Sequence, residues 1–186
     1  MSFSESEVDV SQLRVLGLAD HKWKRVDVAL SADLKGADLV RGDYHGPLPL
    51  RAVVGEEGAV GDLIGTFWAS VFLISNRLSK AFKDLRLSGW RSLPVSVKGD
   101  SNLLEDVAVL AVTGRAGPIY GAGGATRPDL DMIGQYLDPH EWDGSDLFLP
   151  RNRRSILVTG PAAKEIARFR FRNVDLRPAG IEPLPK

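Results

Sequence analysis

A chain of 186 residues, 44% apolar and 26% charged, has an ordinary globular composition and enough length to bury one sizeable core. It contains no cysteine, which excludes disulfides, thiolate nucleophiles and cysteine-ligated zinc. Lys plus Arg and Asp plus Glu each number 24, so the basic excess that phosphate contacts demand is missing and no nucleic-acid partner is expected.

The opening string "MSFSESEVDV" is polar and acidic, with neither a basic start nor an apolar stretch, so it is not read as a signal peptide. Residues 1 to about 10 read as a frayed tail. "RVDVAL" sets Val26, Val28 and Leu30 at alternate positions, the pattern of a half-buried strand, and "LPLRAVV" after a Gly/Pro loop reads as another short strand. "GEEGAVGD" from Gly55 is a turn-rich connection. The longest apolar stretch, Phe67 to Ile74, is too short to span a bilayer, so no membrane partner is expected and the location is read as cytoplasmic.

A strand–helix–strand unit follows. "VFLI" (Val71 to Ile74) is a continuous apolar run of the kind found in strands buried on both faces. Ser75 is placed to cap a helix, Leu78, Phe82 and Leu85 form its apolar stripe, and Gly89 is read as its left-handed stop. "WRSLPVSV" returns as a strand. The same arrangement recurs 84 residues further on. There Ile156 to Val158 is the strand, Thr159 takes the place of Ser75, Pro161 suits the first helical turn, and Ala162, Ile166 and Phe169 form the stripe. Asn173 replaces Gly89, and the pairs Arg86/Arg170 and Pro94/Pro178 are identical.

Between the units, "DVAVLAVTG" is a strong strand and "GRAGPIYGAGG" reads as a Gly-rich loop. "RPDLDMIGQYL" has Pro128 near a helix start, with Asp129 and Asp131 in the first turn. "WDGSDLFLP" is a turn feeding a short strand. The expected fold is therefore α+β or α/β, with two similar strand–helix–strand units at about 71–97 and 155–181 joined by a strand- and loop-rich middle segment. Residues 1–60 form an N-terminal strand and loop region and 61–186 a main region, within one compact unit.

The chemistry-bearing residues form no recognisable catalytic pattern. His21, His45 and His140 lack the helical pairing of a zinc site, so no metal is expected. "DGSDL" lacks the second glycine of a nucleophile elbow and precedes a strand rather than a helix. "GAGG" (Gly121 to Gly124) lacks the Gly-Lys-Ser/Thr ending of a phosphate loop, and no cofactor is expected. Arg151 to Arg154 and Arg168, Arg170 and Arg172 read as solvated faces. The acidic run from Asp129 to Asp146 could act as paired carboxylates, but such residues more often cap helices, shape turns or form a solvated face, and with Tyr136 and Trp142 they could present an acidic-aromatic surface. The candidate partner-binding residues are Tyr120, Arg127, Asp129, Asp131, Tyr136, Glu141, Asp143 and Asp146.

The strings "FLISNRLSKAFKDLRLSGWRSLPVSV", "LAVTGRAGP", "WDGSDLF" and "ILVTGPAAKEIARFRFRNVDLRP" resemble a group of mostly uncharacterised bacterial proteins that includes immunity proteins of polymorphic toxin systems. They are also similar to a related group named for a double CxxCG motif. The resemblance covers roughly Val71 to Pro183. Its cysteines are missing here, with Ala116 standing where such a relative could carry one, so a zinc role does not transfer. The resemblance implies a non-enzymatic protein that binds a cognate toxin. The alternative is an enzyme or small-ligand binder using the Gly-rich loop and acidic segment 114–146.

Overall fold

The computed structural model describes residues 8–19, 25–27, 35–54, 60–98, 106–121 and 134–184. The first part of the chain forms β1 (Arg14–Gly17), β2 (Arg25–Asp27), α1 (Gly36–Arg41), β3 (Leu50–Val54), β4 (Leu63–Thr66), β5 (Phe72–Ser75), α2 (Asn76–Asp84), β6 (Trp90–Lys98) and β7 (Val107–Val112). The second part forms β8 (Gly114–Ala116), β9 (Tyr120–Gly121), β10 (Gln135–Leu137), β11 (Leu147–Pro150), β12 (Ile156–Val158), α3 (Gly160–Arg168), β13 (Asp175–Pro178) and β14 (Glu182–Pro183). The fold is α+β, with mixed sheets.

Strands β2-β3-β6-β7-β5-β4 close a barrel. A five-stranded sheet runs β13-β1-β12-β11-β8, and a three-stranded one runs β14-β10-β9. In the barrel, β5 and β6 both pair antiparallel with β7, so the two strands joined through α2 run parallel with β7 between them. In the five-stranded sheet, β12 and β13 both pair antiparallel with β1 in the same way. The hairpins ahead of the helices also share a register: Leu63 faces Ile74 in one, and Leu147 faces Val158 in the other. Residues of the N-terminal 60 thus belong to both assemblies, β2 and β3 to the barrel and β1 to the second sheet.

Apolar continuity explains these positions. Leu147, Leu149, Ile156 and Val158 face the larger core cluster, whereas Phe148 and Leu157 face a second one with Leu13, Leu137 and Ile181. A strand covered on both sides has no polar face to show, which is why these runs do not alternate. In α2, Leu78, Ala81 and Phe82 are buried while Lys80, Lys83 and Asp84 are exposed.

Ser75 caps α2 as expected, its Oγ accepting from the Leu78 N–H at 3.1 Å. Thr159 occupies the same place before α3 but makes no capping bond, because its hydroxyl turns to Asp146. Pro161 lies in the first turn of α3. Gly89 and Asn173 both have positive φ, at 78° and 62°, yet neither ends its helix. That role falls to the identical pair Arg86 and Arg170, at φ 55° and 47°. Phe169, expected in the buried stripe, is 39% exposed and stacks on Phe171 at 5.3 Å.

Three further expectations change. Val10 is 2% exposed in a 3-10 turn (Val10–Gln12) capped by Asp9, so the frayed tail stops short of it. The Gly-rich loop contains β8 and β9, since Gly114 is needed for close strand approach: a Cβ there would lie 2.1 Å from the Leu147 carbonyl oxygen. The helix read around Pro128 does not include Gln135–Leu137, which pair as β10. Its start, with Asp129 and Asp131, lies outside the described residues, as do His21 and positions 28–30 of the first expected strand.

Candidate functional site

Hydrogen bonding decides what the acidic segment can do, because a carboxylate already saturated by backbone donors is a poor acid, base or docking group. Asp138 accepts from the His140 N–H at 2.9 Å and caps a 3-10 turn (Pro139–Glu141). Asp143 accepts from the Arg115 N–H at 2.6 Å and from the N–H and hydroxyl of Ser145, tying its turn to β8. Asp146 accepts from the Ser88 N–H at 2.8 Å and the Ser88 hydroxyl at 2.9 Å, with the Thr159 hydroxyl at 3.5 Å from its other oxygen. Glu141 makes an ion pair with Arg151 at 3.6 Å. Trp142 donates its indole N–H to the Ser145 carbonyl and leans on Phe148 at 6.0 Å.

Asp146 has a counterpart in Asp62, before the other helix. Asp62 accepts from the Ser75 hydroxyl and the Arg172 N–H, each at 2.8 Å, and from Arg77 at 2.9 Å. The loop after α3 therefore docks on the carboxylate before α2, and the loop after α2 docks on the carboxylate before α3. These are scaffold bonds that cross-link the barrel and the second sheet.

Of the sequence-predicted positions, Tyr120 and Tyr136 are brought together as a facing pair on β9 and β10, both half-buried. Glu141 lies with Arg151, while Asp143 and Asp146 serve separate loops. Arg127, Asp129 and Asp131 lie outside the described residues. Of the histidines, His45 and His140 are exposed. Among the described residues no group of three or more His, Asp or Glu side chains gathers as a metal site, and no helix is long and apolar enough to cross a membrane.

A different surface was not anticipated. An open groove of about 450 Å³ runs beside the end of α2 and the start of β6, lined by Lys83, Arg86, Leu87, Trp90, Arg91 and Ser92. Lys83 and Arg86 are exposed, and their side chains have no ion-pair or hydrogen-bond partner among the described residues. Arg91 is held in place by the carbonyl oxygens of Gly42 and Tyr44 just beyond α1. Trp90 rests nearly perpendicular to buried Phe82 at 5.2 Å and donates its indole N–H to the Leu87 carbonyl at 2.9 Å. The signal lay in "KDLRLSGWR", where cations bracket an aromatic residue across a helix end and a strand start. Helical spacing alone hid it, because only the turn at Arg86 brings the cations of α2 beside β6.

No protein-family model matches the chain, and no curated protein matches it in sequence.

Proposed function

We propose that this chain is a non-enzymatic binding module of the immunity type, which neutralises a cognate bacterial toxin by direct contact in the cytoplasm. The observation that carries this reading is the commitment of Asp138, Asp143 and Asp146 to backbone N–H groups. These bonds hold turns, and Asp143 and Asp146 each accept three, which weighs against their use as acid or base in an enzyme built on segment 114–146. The resemblance of the strings quoted above to toxin-immunity proteins supports the same reading from another direction. They fall on the strands, caps and helices that build the scaffold, which would leave the exposed surface free to differ with the toxin.

The test is to express the chain with the product of the adjacent toxin gene. Co-elution of the two and recovery of growth in a toxin-sensitive strain are expected. If the purified chain binds no neighbouring gene product and gives no protection, the proposal fails.

A further inference from the structure

We propose that the groove formed by Lys83, Arg86, Leu87, Trp90 and Arg91 is the docking site for an acidic segment of the protein partner. This rests on the binding reading above and adds to it a face and a chemistry. Among the described residues, three cations line the groove and no carboxylate does. One of them, Arg91, is already oriented by two carbonyls, so little side-chain freedom remains to be lost when it meets a carboxylate. Leu87 and half-buried Trp90 give an apolar floor, with the indole N–H already bonded, so the ring offers a surface rather than a donor.

The other helix–strand junction serves as a reference for what the scaffold alone requires. At the positions 84 residues on, Lys83, Trp90 and Arg91 are answered by Ala167, Val174 and Asp175. Asp175 is paired with Arg177 at 2.9 Å, and the Phe171 ring that stands for Leu87 is covered by the Arg77 guanidinium at 4.9 Å. The same local architecture therefore forms without two of the cations and without the tryptophan. In the place of Arg77, the α3 side has Pro161, which carries no charge to cover the groove. A cation near a helix C-terminus complements its dipole, and that accounts for Lys83. It does not account for Arg91, which stands on a strand.

An acidic polypeptide fits better than a polynucleotide. On the α1 side, where Arg91 is held, Arg115 is already paired with Asp43 and Arg151 with Glu141, each at 3.6 Å. A nucleic-acid track needs unpaired cations over several phosphates. A groove of about 450 Å³ suits a few side chains instead.

The test uses the full chain and a synthetic peptide of alternating Glu and Asp around one Leu, with its Gln/Asn equivalent and an oligothymidylate of equal charge as comparisons. The acidic peptide is expected to shift the Trp90 indole resonance, and Lys83→Glu with Arg86→Asn should weaken it about tenfold. Asn tolerates the left-handed backbone at position 86, and circular dichroism checks the fold. Should that turn be disturbed, Lys83→Glu alone carries the test, with a loss of about threefold. The proposal is overturned if the neutral peptide binds as well, if the oligonucleotide binds more tightly, if the variants bind like the parent, or if millimolar acidic peptide leaves Trp90 unmoved. Toxin binding separates the two claims. A toxin held equally by parent and variant removes the groove but leaves the immunity reading, whereas a toxin held by neither removes that reading and leaves the peptide result to judge the groove.

Discussion

Replacing Asp62 by Ala should be among the most damaging single changes outside the apolar core. The side chain is 8% exposed and its carboxylate accepts from the Ser75 hydroxyl, the Arg172 N–H and Arg77. Loss of the acceptor strands the Arg172 N–H, for about 1–3 kcal/mol. It also removes a charge-assisted bond from Ser75, which is worth about 1.5 kcal/mol at the low end for such bonds. The Arg77 side chain is 54% exposed and keeps the Phe169 carbonyl and the Phe171 ring as partners, so its share is that of a surface pair, below about 1 kcal/mol. Together these give a loss of about 3–5 kcal/mol for Asp62→Ala, and about 1–2 kcal/mol for Arg77→Ala, which also loses the Phe169 carbonyl and the Phe171 ring. Urea unfolding followed by tryptophan fluorescence measures both, with the slope checked for constancy. The reasoning is refuted if Asp62→Ala costs under about 1 kcal/mol, or if Arg77→Ala costs as much as Asp62→Ala. The second result would make the contacts of Arg77, and not the docked Arg172 N–H, the source of stability.

Gly89→Ala should lose more than the usual left-handed penalty of about 1–2 kcal/mol, because the new Cβ at φ 78° would lie 2.0 Å from the Leu147 carbonyl oxygen. Thermal melting checks this, and a variant melting with the parent would show that the junction yields easily. Asp9 is held below its ordinary pKa, first by the Ser11 hydroxyl and then by the Gln12 side chain. A depressed folded-state value stabilises the 3-10 turn above the unfolded pKa, and that contribution disappears as pH falls through the folded one. The Ser11 amide resonance should therefore titrate below the ordinary aspartate range; a midpoint at or above that range would contradict the assignment.

Local signals were readable and distant partners were not. Ser75, the Leu78/Phe82 stripe and the apolar run at Leu147 each answer to neighbours within a turn or along one strand, so α2 and β11 could be placed from the residues. Gly114 carries a local meaning of flexibility, but its actual role is set by a carbonyl more than thirty positions away, at Leu147. Gln135–Leu137 followed helix-start residues and became a strand because β9 and β14 flank it. The bonds made by two members of the acidic cluster were hidden for a similar reason. Asp143 and Asp146 find their donors at Arg115 and Ser88, and no spacing rule within 129–146 could have named those. The groove stayed hidden because Arg91 is fixed from the far side by Gly42 and Tyr44.

The position of β1 has a consequence for the order in which the chain takes shape during synthesis. It is translated early, yet both strands that flank it, β12 and β13, come near the far end. At a ribosomal pace of about 5–20 residues per second, β1 waits roughly ten to thirty seconds for its neighbours. The six barrel strands lie between Arg25 and Val112, so their pairing partners have all emerged well before that. A nascent chain stalled after β7 thus has every strand that the barrel pairs, though not the Arg172 and Asn173 groups that bond Asp62 and Leu63, plus one orphaned strand with two open edges. Vectorial assembly would leave that strand exposed longest, which makes Arg14–Gly17 the segment where chaperone contact or mispairing should concentrate.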